Sequence, residues 1–129
     1  ARPLDFGHWA AHRLEAMSDY RLRHGEAVAV GIALDTLYST LSDRLRADEA
    51  ERVLRVLSIL GFQLWVPELE EEGLFEGIAE FREHLGGELT VTLLEALGRG
   101  IEVHALDTDL YRTAVACLRA RFRALTQAA

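Results

Sequence analysis

The sequence predicts a mainly α-helical domain of about five helices with one short β-hairpin. Apolar residues recur every three or four positions through most of the chain, which is the period of a helix with one buried face. Glycines and capping residues separate these stretches, and only one region alternates in the manner of short strands. The 129 residues are half hydrophobic, which suits a single domain, residues 1–129, with one core.

The boundaries of the elements follow from caps and stops. Asp48 is the expected N-cap of the third helix, and Gly61 supplies its C-terminal stop. The second helix is the most apolar and is expected to be central, while the last helix is expected to turn Cys117 inward. The helices are predicted over residues 4–17, 25–45, 48–60, 74–85 and 107–125, and the strands over residues 89–94 and 101–104, joined through residues 98–100.

Charge and composition exclude several classes of protein. A net charge of −7 and a pI near 5.2 argue against nucleic acid as a partner. No apolar run is long enough to span a membrane, so no membrane partner is expected. All the basic residues are arginine, which excludes a catalytic or phosphate-binding lysine from this chain. The single cysteine, Cys117, fits a reducing cytoplasmic location.

Three histidines form the most informative pattern in the chain. His8 and His12 are separated by one helical turn, and His24 follows at the start of the next predicted helix. Imidazoles at this spacing converge on one point if the two helices pack together, which is the geometry of a divalent metal site. An i, i+4 histidine pair also arises by chance, so the spacing alone leaves the structural alternative open.

The residues around these histidines resemble a known family. The string GHWAAHRLE, residues 7–15, and the string HGEAVAVG, residues 24–31, are similar to the metal-binding domain of the 3-dehydroquinate synthase-like sugar phosphate cyclases. The glycine-terminated third helix and the LTVTLL strand after Gly86 and Gly87 are similar to later features of that family. The resemblance therefore covers most of the chain and implies the helical C-terminal domain of that fold.

The resemblance also implies roles for individual residues. His8 and His24 would be ligands of Zn²⁺ or Co²⁺, and His12 would be the catalytic histidine beside the substrate. Asp5 and Arg82 would contact substrate, with Arg82 near the position of a phosphate-gripping lysine. The remaining motif carboxylates, Glu15 and Glu26, would orient the ligand histidines.

The family's chemistry sets the expected cofactors and partners. The resemblance implies transient oxidation of a seven-carbon sugar phosphate by bound NAD⁺, then phosphate elimination, reduction and ring closure. The chain is expected to be a piece of a longer polypeptide, because the third metal ligand and the NAD⁺-binding domain belong to an N-terminal region that it lacks. Alone it is expected to be inactive, with its own N-terminal domain as partner and a homodimer as a possible assembly.

The aspartate at position 5 indicates which sugar phosphate is expected as substrate. It stands where dehydroquinate synthases have an asparagine that contacts substrate, and a second anion there would repel a substrate carboxylate. The resemblance therefore favours the sedoheptulose 7-phosphate cyclase type, which also carries Asp at that position. The segment Phe81, Arg82, Glu83, which replaces a lysine-rich phosphate segment of the family, points the same way.

Two other functions remain open on the sequence. A glycerol dehydrogenase-like, metal-dependent NAD(P) oxidoreductase also carries metal-binding histidines in a helical domain, and a non-catalytic helical module is the third possibility.

Other prominent residues are expected to have structural roles. Trp9 and Trp65 are expected to pack in the core or between domains, and His84 and His104 are expected to be surface or structural residues. Residues 68–72 are expected to form a solvated acidic face.

Overall fold

The structure is a computed structural model, and it describes residues 8–70, 74, 91–96, 99–103 and 108–127. The described part is mainly helical, which confirms the predicted fold class. Its helices are α1 (His8–Met17), α2 (His24–Leu41), α3 (Ala47–Ile59) and α4 (Thr108–Gln127), with a 3₁₀ helix (Pro67–Glu70) between α3 and the strands. The strands are β1 (Val91–Ala96) and β2 (Arg99–Val103). Apart from the buried Leu74, the predicted helix over residues 74–85 lies outside the described residues.

Helix α2 forms the centre of the domain, as its apolar sequence predicts. It contacts α1, α3, α4 and β1, and Val30, Ala33 and Leu34 are fully buried along it. Leu14 of α1 and Leu118 of α4 join the same cluster. Burial of each Val or Leu side chain contributes about 1.5–3 kcal/mol. The packing around α2 therefore holds α1 and α4 against it.

A buried polar contact fastens α4 to α2. The Tyr111 hydroxyl donates a hydrogen bond of 2.6 Å to Oδ1 of Asp35, and both residues are fully buried. The Tyr111 ring also stacks on Tyr38, with ring centroids 4.1 Å apart. A carboxylate withdrawn from water needs hydrogen-bond donors around it, so this contact fixes how α4 sits against α2.

We expect the Tyr111→Phe substitution to lower the free energy of unfolding by about 1.5–3 kcal/mol, because a buried carboxylate loses a donor while the ring stays in place. Urea denaturation measures the change. Tyr20→Phe is the matched control, since Tyr20 is 72% exposed and should leave the stability unchanged. Equal stability of Tyr111→Phe and the wild type would contradict the assigned role of the hydroxyl.

Helix α3 begins and ends close to its predicted limits, but its N-cap was wrongly assigned. The N-cap is Arg46, so Asp48 lies in the first turn, where its carboxylate faces the positive end of the helix dipole. At the other end Gly61 has φ +96°. The amides of Gly61 and Phe62 donate to the carbonyls of Ser58 and Leu57, which is the Schellman arrangement that favours glycine.

The two glycines Gly61 and Gly25 should respond to alanine in opposite directions. A Cβ at either position would meet no atom within 4 Å, and only Gly61 has positive φ. Gly61→Ala should therefore cost about 1–2 kcal/mol through backbone strain alone, whereas Gly25→Ala in α2 should stabilise by up to about 1 kcal/mol. Thermal unfolding of both variants checks the signs, and a shift in the same direction for both would contradict this account.

The connector after α3 contains two residues with sequence predictions, Glu68 and Trp65. Glu68 is buried, so residues 68–72 do not form a uniformly solvated face. Glu68 lies in the 3₁₀ helix that begins at Pro67, and its carboxylate accepts hydrogen bonds from Arg21. Trp65 is partly buried and stacks on Phe122, with centroids 5.6 Å apart, as expected for a packing residue.

Strands β1 and β2 pair in antiparallel register, with Val91 opposite Val103 and Leu93 opposite Ile101. A register shift lies between Leu94 and Ala96. Arg99 and Gly100, which the sequence assigned to the turn, belong to β2, so that assignment was wrong. An alternating pattern fixes the face of each residue and does not locate the turn residues, which explains the displacement.

Helix α4 turns Tyr111, Ala114, Val115 and Leu118 into the core. Cys117 is exposed, so the inward orientation predicted for it was wrong; it lies about 100° around the helix from this stripe. Arg121 of α4 donates to Glu51 of α3 at 2.7 Å, and this hydrogen bond lowers the pKa of Glu51 below its ordinary value.

Among the described residues, none of the helices combines the length and the apolar character that crossing a bilayer requires.

Candidate functional site

One face of α1 carries the residues that the sequence assigned to metal and catalysis. His8, His12 and Glu15 lie within about 60° of one another around the helix. This face adjoins the stripe of Ala11 and Leu14, which are fully buried. The backbone of α1 therefore places these residues beside the core; the side chains of His8 and His12 lie outside the described part of the structure.

The turn after α1 brings His24 against this face. His24 is the first residue of α2, and its Nδ1 lies 2.5 Å from Oε1 of Glu15. The carboxylate only accepts hydrogen bonds, so Nδ1 donates. The Glu15 side chain is 14% exposed, whereas that of His24 is 61% exposed. A largely buried carboxylate therefore orients an accessible imidazole.

This contact sets what the imidazole can do. With Nδ1 hydrogen-bonded to Glu15, the ring carries its proton on that nitrogen and presents Nε2 as the nitrogen for a metal. A carboxylate behind a histidine is the usual support of a zinc-binding imidazole, because it fixes the tautomer and the ring orientation. The structure thus shows Glu15 hydrogen-bonded to the His24 ring, and its role in orienting a metal ligand remains a prediction.

Glu26 is placed differently. Its Oε1 accepts a hydrogen bond of 2.9 Å from the backbone amide of Arg23, the N-cap residue of α2, which is the contact that an N3 glutamate makes in a capping box. Its carboxylate thus supports the helix terminus that carries His24, and this contact is to the backbone rather than to an imidazole. The assignment of Glu26 to histidine orientation remains a prediction.

The donors that the structure describes are consistent with Zn²⁺ or Co²⁺. A neutral imidazole supported by a carboxylate is a favoured ligand for both metals. Within the part of the chain whose side chains are described, no group of three His, Cys, Asp or Glu residues is arranged to hold a metal. Of the other predicted site residues, Asp5 and Arg82 lie outside the described residues.

No pattern in the sequence predicts the contacts that hold the α1–α2 turn. Arg21 donates from Nη2 to both carboxylate oxygens of Glu68, at 2.7 and 2.5 Å. The two residues are 47 positions apart and belong to no common motif, so only the fold brings them together. Ser18, whose Oγ donates to the Glu15 carbonyl and accepts from the Leu22 amide, belongs to the same turn.

Comparison with known proteins identifies the class of domain. The profile of the 3-dehydroquinate synthase C-terminal family matches residues 1–83, which include both histidine strings. The chain belongs to this family, the 3-dehydroquinate synthase-like sugar phosphate cyclases, and corresponds to its helical C-terminal domain.

The similar curated proteins carry two names. A 3-dehydroquinate synthase from Aeropyrum pernix is 42% identical over 101 residues, which cover 76% of this chain and 27% of that protein. A 2-epi-valiolone synthase from Stigmatella aurantiaca is 32% identical over 114 residues, which cover 88% of this chain and 28% of that protein. The chain thus spans less than a third of the length of these relatives.

A solved structure shares the fold. It is a 2-epi-5-epi-valiolone synthase from Streptomyces hygroscopicus with NAD⁺ and Zn²⁺ bound. The TM-score is 0.87 at 25% identity, and the match covers 92% of this chain and 33% of that one. The helical arrangement described above is therefore that of a cyclase C-terminal domain.

Proposed function

We propose that the chain is the metal- and substrate-binding domain of an NAD⁺- and metal-dependent cyclase, which eliminates phosphate from a seven-carbon sugar phosphate and closes its ring. The observation that carries the proposal is the Glu15–His24 hydrogen bond, because it joins the two histidine strings of the family across α1 and α2. A helical module that had lost its site would have no reason to keep a buried carboxylate behind an exposed imidazole.

Each residue of the proposed site has a separate role. His8 and His24 hold the metal, and Glu15 orients the His24 ring. His12, on the same face of α1, binds substrate and transfers protons beside it. A bound Zn²⁺ or Co²⁺ supplies a Lewis acid that polarises the substrate oxygen.

Asp5 and Arg82 complete the proposed substrate site. The guanidinium of Arg82 pairs with the phosphate through two parallel hydrogen bonds, which a lysine cannot form. Asp5 accepts hydrogen bonds from substrate hydroxyls and repels a carboxylate. These roles favour a sugar without a carboxylate, such as sedoheptulose 7-phosphate.

The remaining parts of the site come from elsewhere in the proposed enzyme. The third metal ligand and most of the NAD⁺ site belong to a preceding domain, in keeping with relatives more than three times as long as this match. We propose a cytoplasmic enzyme that assembles as a homodimer, and we expect the 129-residue piece alone to be inactive.

Phosphate release by the full-length protein tests this function. The protein is offered 3-deoxy-arabino-heptulosonate 7-phosphate and sedoheptulose 7-phosphate in parallel, with inorganic phosphate and NADH both recorded. We expect NAD⁺-dependent phosphate release from the second sugar without accumulation of NADH. Release from the first sugar alone would indicate a dehydroquinate synthase, and steady accumulation of NADH would indicate a dehydrogenase. The absence of both phosphate release and NADH would contradict the proposal.

A further inference from the structure

The turn between α1 and α2 has a backbone that the sequence does not favour. Asp19 and Tyr20 have φ values of 52° and 61°, so two consecutive residues other than glycine adopt the left-handed conformation. That conformation is costly for a residue as large as tyrosine. Such a turn persists only where the surrounding structure holds it.

The turn is tied directly to Glu15. The amide of Tyr20 donates to the Glu15 carbonyl at 2.8 Å, and Ser18 Oγ donates to the same carbonyl at 3.1 Å. Four residues after Tyr20, His24 meets the Glu15 side chain. The conformation of this short turn therefore sets the distance between the carboxylate and the imidazole.

Arg21 and Glu68 hold the turn from outside. The Glu68 side chain is 8% exposed and the Arg21 side chain 60%, so the pair joins a nearly buried carboxylate to a guanidinium at the edge of solvent. Glu68 stands on the 3₁₀ helix beside Leu69, which is fully buried, and this helix contacts α1. Among the described residues Arg21 is the charged partner of Glu68, and one nitrogen, Nη2, donates to both carboxylate oxygens in a charge-assisted contact.

We propose that the Arg21–Glu68 pair is a positioning clamp, which holds the strained turn so that His24 stays on Glu15 and can bind a divalent metal tightly. The inference rests on the proposed function, since it assigns His24 to the metal. In this proposal neither residue is a metal ligand or a substrate contact, and both act through the backbone of residues 18–23.

The test compares two carboxylates of the same 3₁₀ helix in the full-length protein. Glu68→Gln removes the charge of the carboxylate while keeping its shape, and Arg21→Lys keeps the positive charge but replaces the planar guanidinium with an ammonium group. Glu70→Gln is the matched control, because Glu70 pairs with Arg119 of α4 at 2.9 Å and not with the turn. Zn²⁺ affinity is measured by competition with a chelator, and amide hydrogen exchange of Tyr20 and Leu22 is measured without metal.

We expect Glu68→Gln to weaken Zn²⁺ binding about tenfold, Arg21→Lys to weaken it less, and Glu70→Gln to leave it unchanged. Exchange of the Tyr20 and Leu22 amides should become faster in Glu68→Gln, faster by a smaller factor in Arg21→Lys, and should stay unchanged in Glu70→Gln. Unchanged Zn²⁺ affinity in Glu68→Gln, with or without a lower melting temperature, would overturn the clamp. Absence of Zn²⁺ binding by the wild type would instead overturn the metal assignment, and the clamp with it.

Discussion

Replacing His24 with alanine is expected to weaken Zn²⁺ binding by the full-length protein more than about 100-fold. Loss of an orienting partner of a ligand histidine commonly costs 10–100-fold, so loss of the ligand itself should cost more. His24 begins α2, and its side chain is 61% exposed. We therefore expect the fold to survive, with a melting temperature close to that of the metal-free wild type.

Equilibrium dialysis with Zn²⁺, followed by metal analysis, measures this effect. His104→Ala is the control, since His104 carries no predicted ligand role. Phosphate release should fall together with Zn²⁺ occupancy. A His24→Ala protein that retained stoichiometric, tightly bound Zn²⁺ would contradict the assignment of His24 as a ligand.

Removing the carboxylate behind His24 should have the second-largest effect. We expect Glu15→Ala to weaken Zn²⁺ binding about 10–100-fold, because the ring then loses the hydrogen bond that selects its tautomer and orientation. Glu15→Gln keeps an acceptor oxygen without the charge, so its effect should be smaller and in the same direction. Chelator competition on the full-length protein gives both values.

Glu26→Gln separates this effect from a general loss of charge near the site. Glu26 accepts from a backbone amide, and a glutamine oxygen can accept in the same way. Because the described contact of Glu26 is to this backbone amide, we expect Glu26→Gln to weaken Zn²⁺ binding less than Glu15→Gln does. Equal weakening by the two Gln variants would show that the site responds to charge rather than to the Glu15–His24 hydrogen bond.

Local patterns predicted the described helices and singled out two residues, Glu15 and His24, that the structure brings together. The apolar period of α2 gave a central buried helix, and the limits of α3 followed from residues near its ends, although the cap itself is Arg46. His24 at a helix start and Glu15 one helix earlier were both visible in the sequence. Their meeting depended on α1 packing against α2, which the sequence left as a condition and the structure shows.

Contacts between distant segments could not be predicted in this way. Glu68 read as part of an acidic surface because its partner, Arg21, is far away in the chain. The buried contact of Asp35 with Tyr111 spans 76 positions and interrupts a helix that otherwise reads as apolar. Cys117 was misplaced because a run of small and apolar residues does not show which side of a helix faces the core.

The most direct test is a crystal structure of the zinc-loaded full-length protein, with the metal located by anomalous scattering at the zinc edge. The account predicts Zn²⁺ at about 2.0–2.1 Å from Nε2 of His24, with Nδ1 still hydrogen-bonded to Glu15 and His8 as a second ligand from this chain. Zn²⁺ bound away from His24, or bound through Nδ1 with Glu15 displaced, would contradict it.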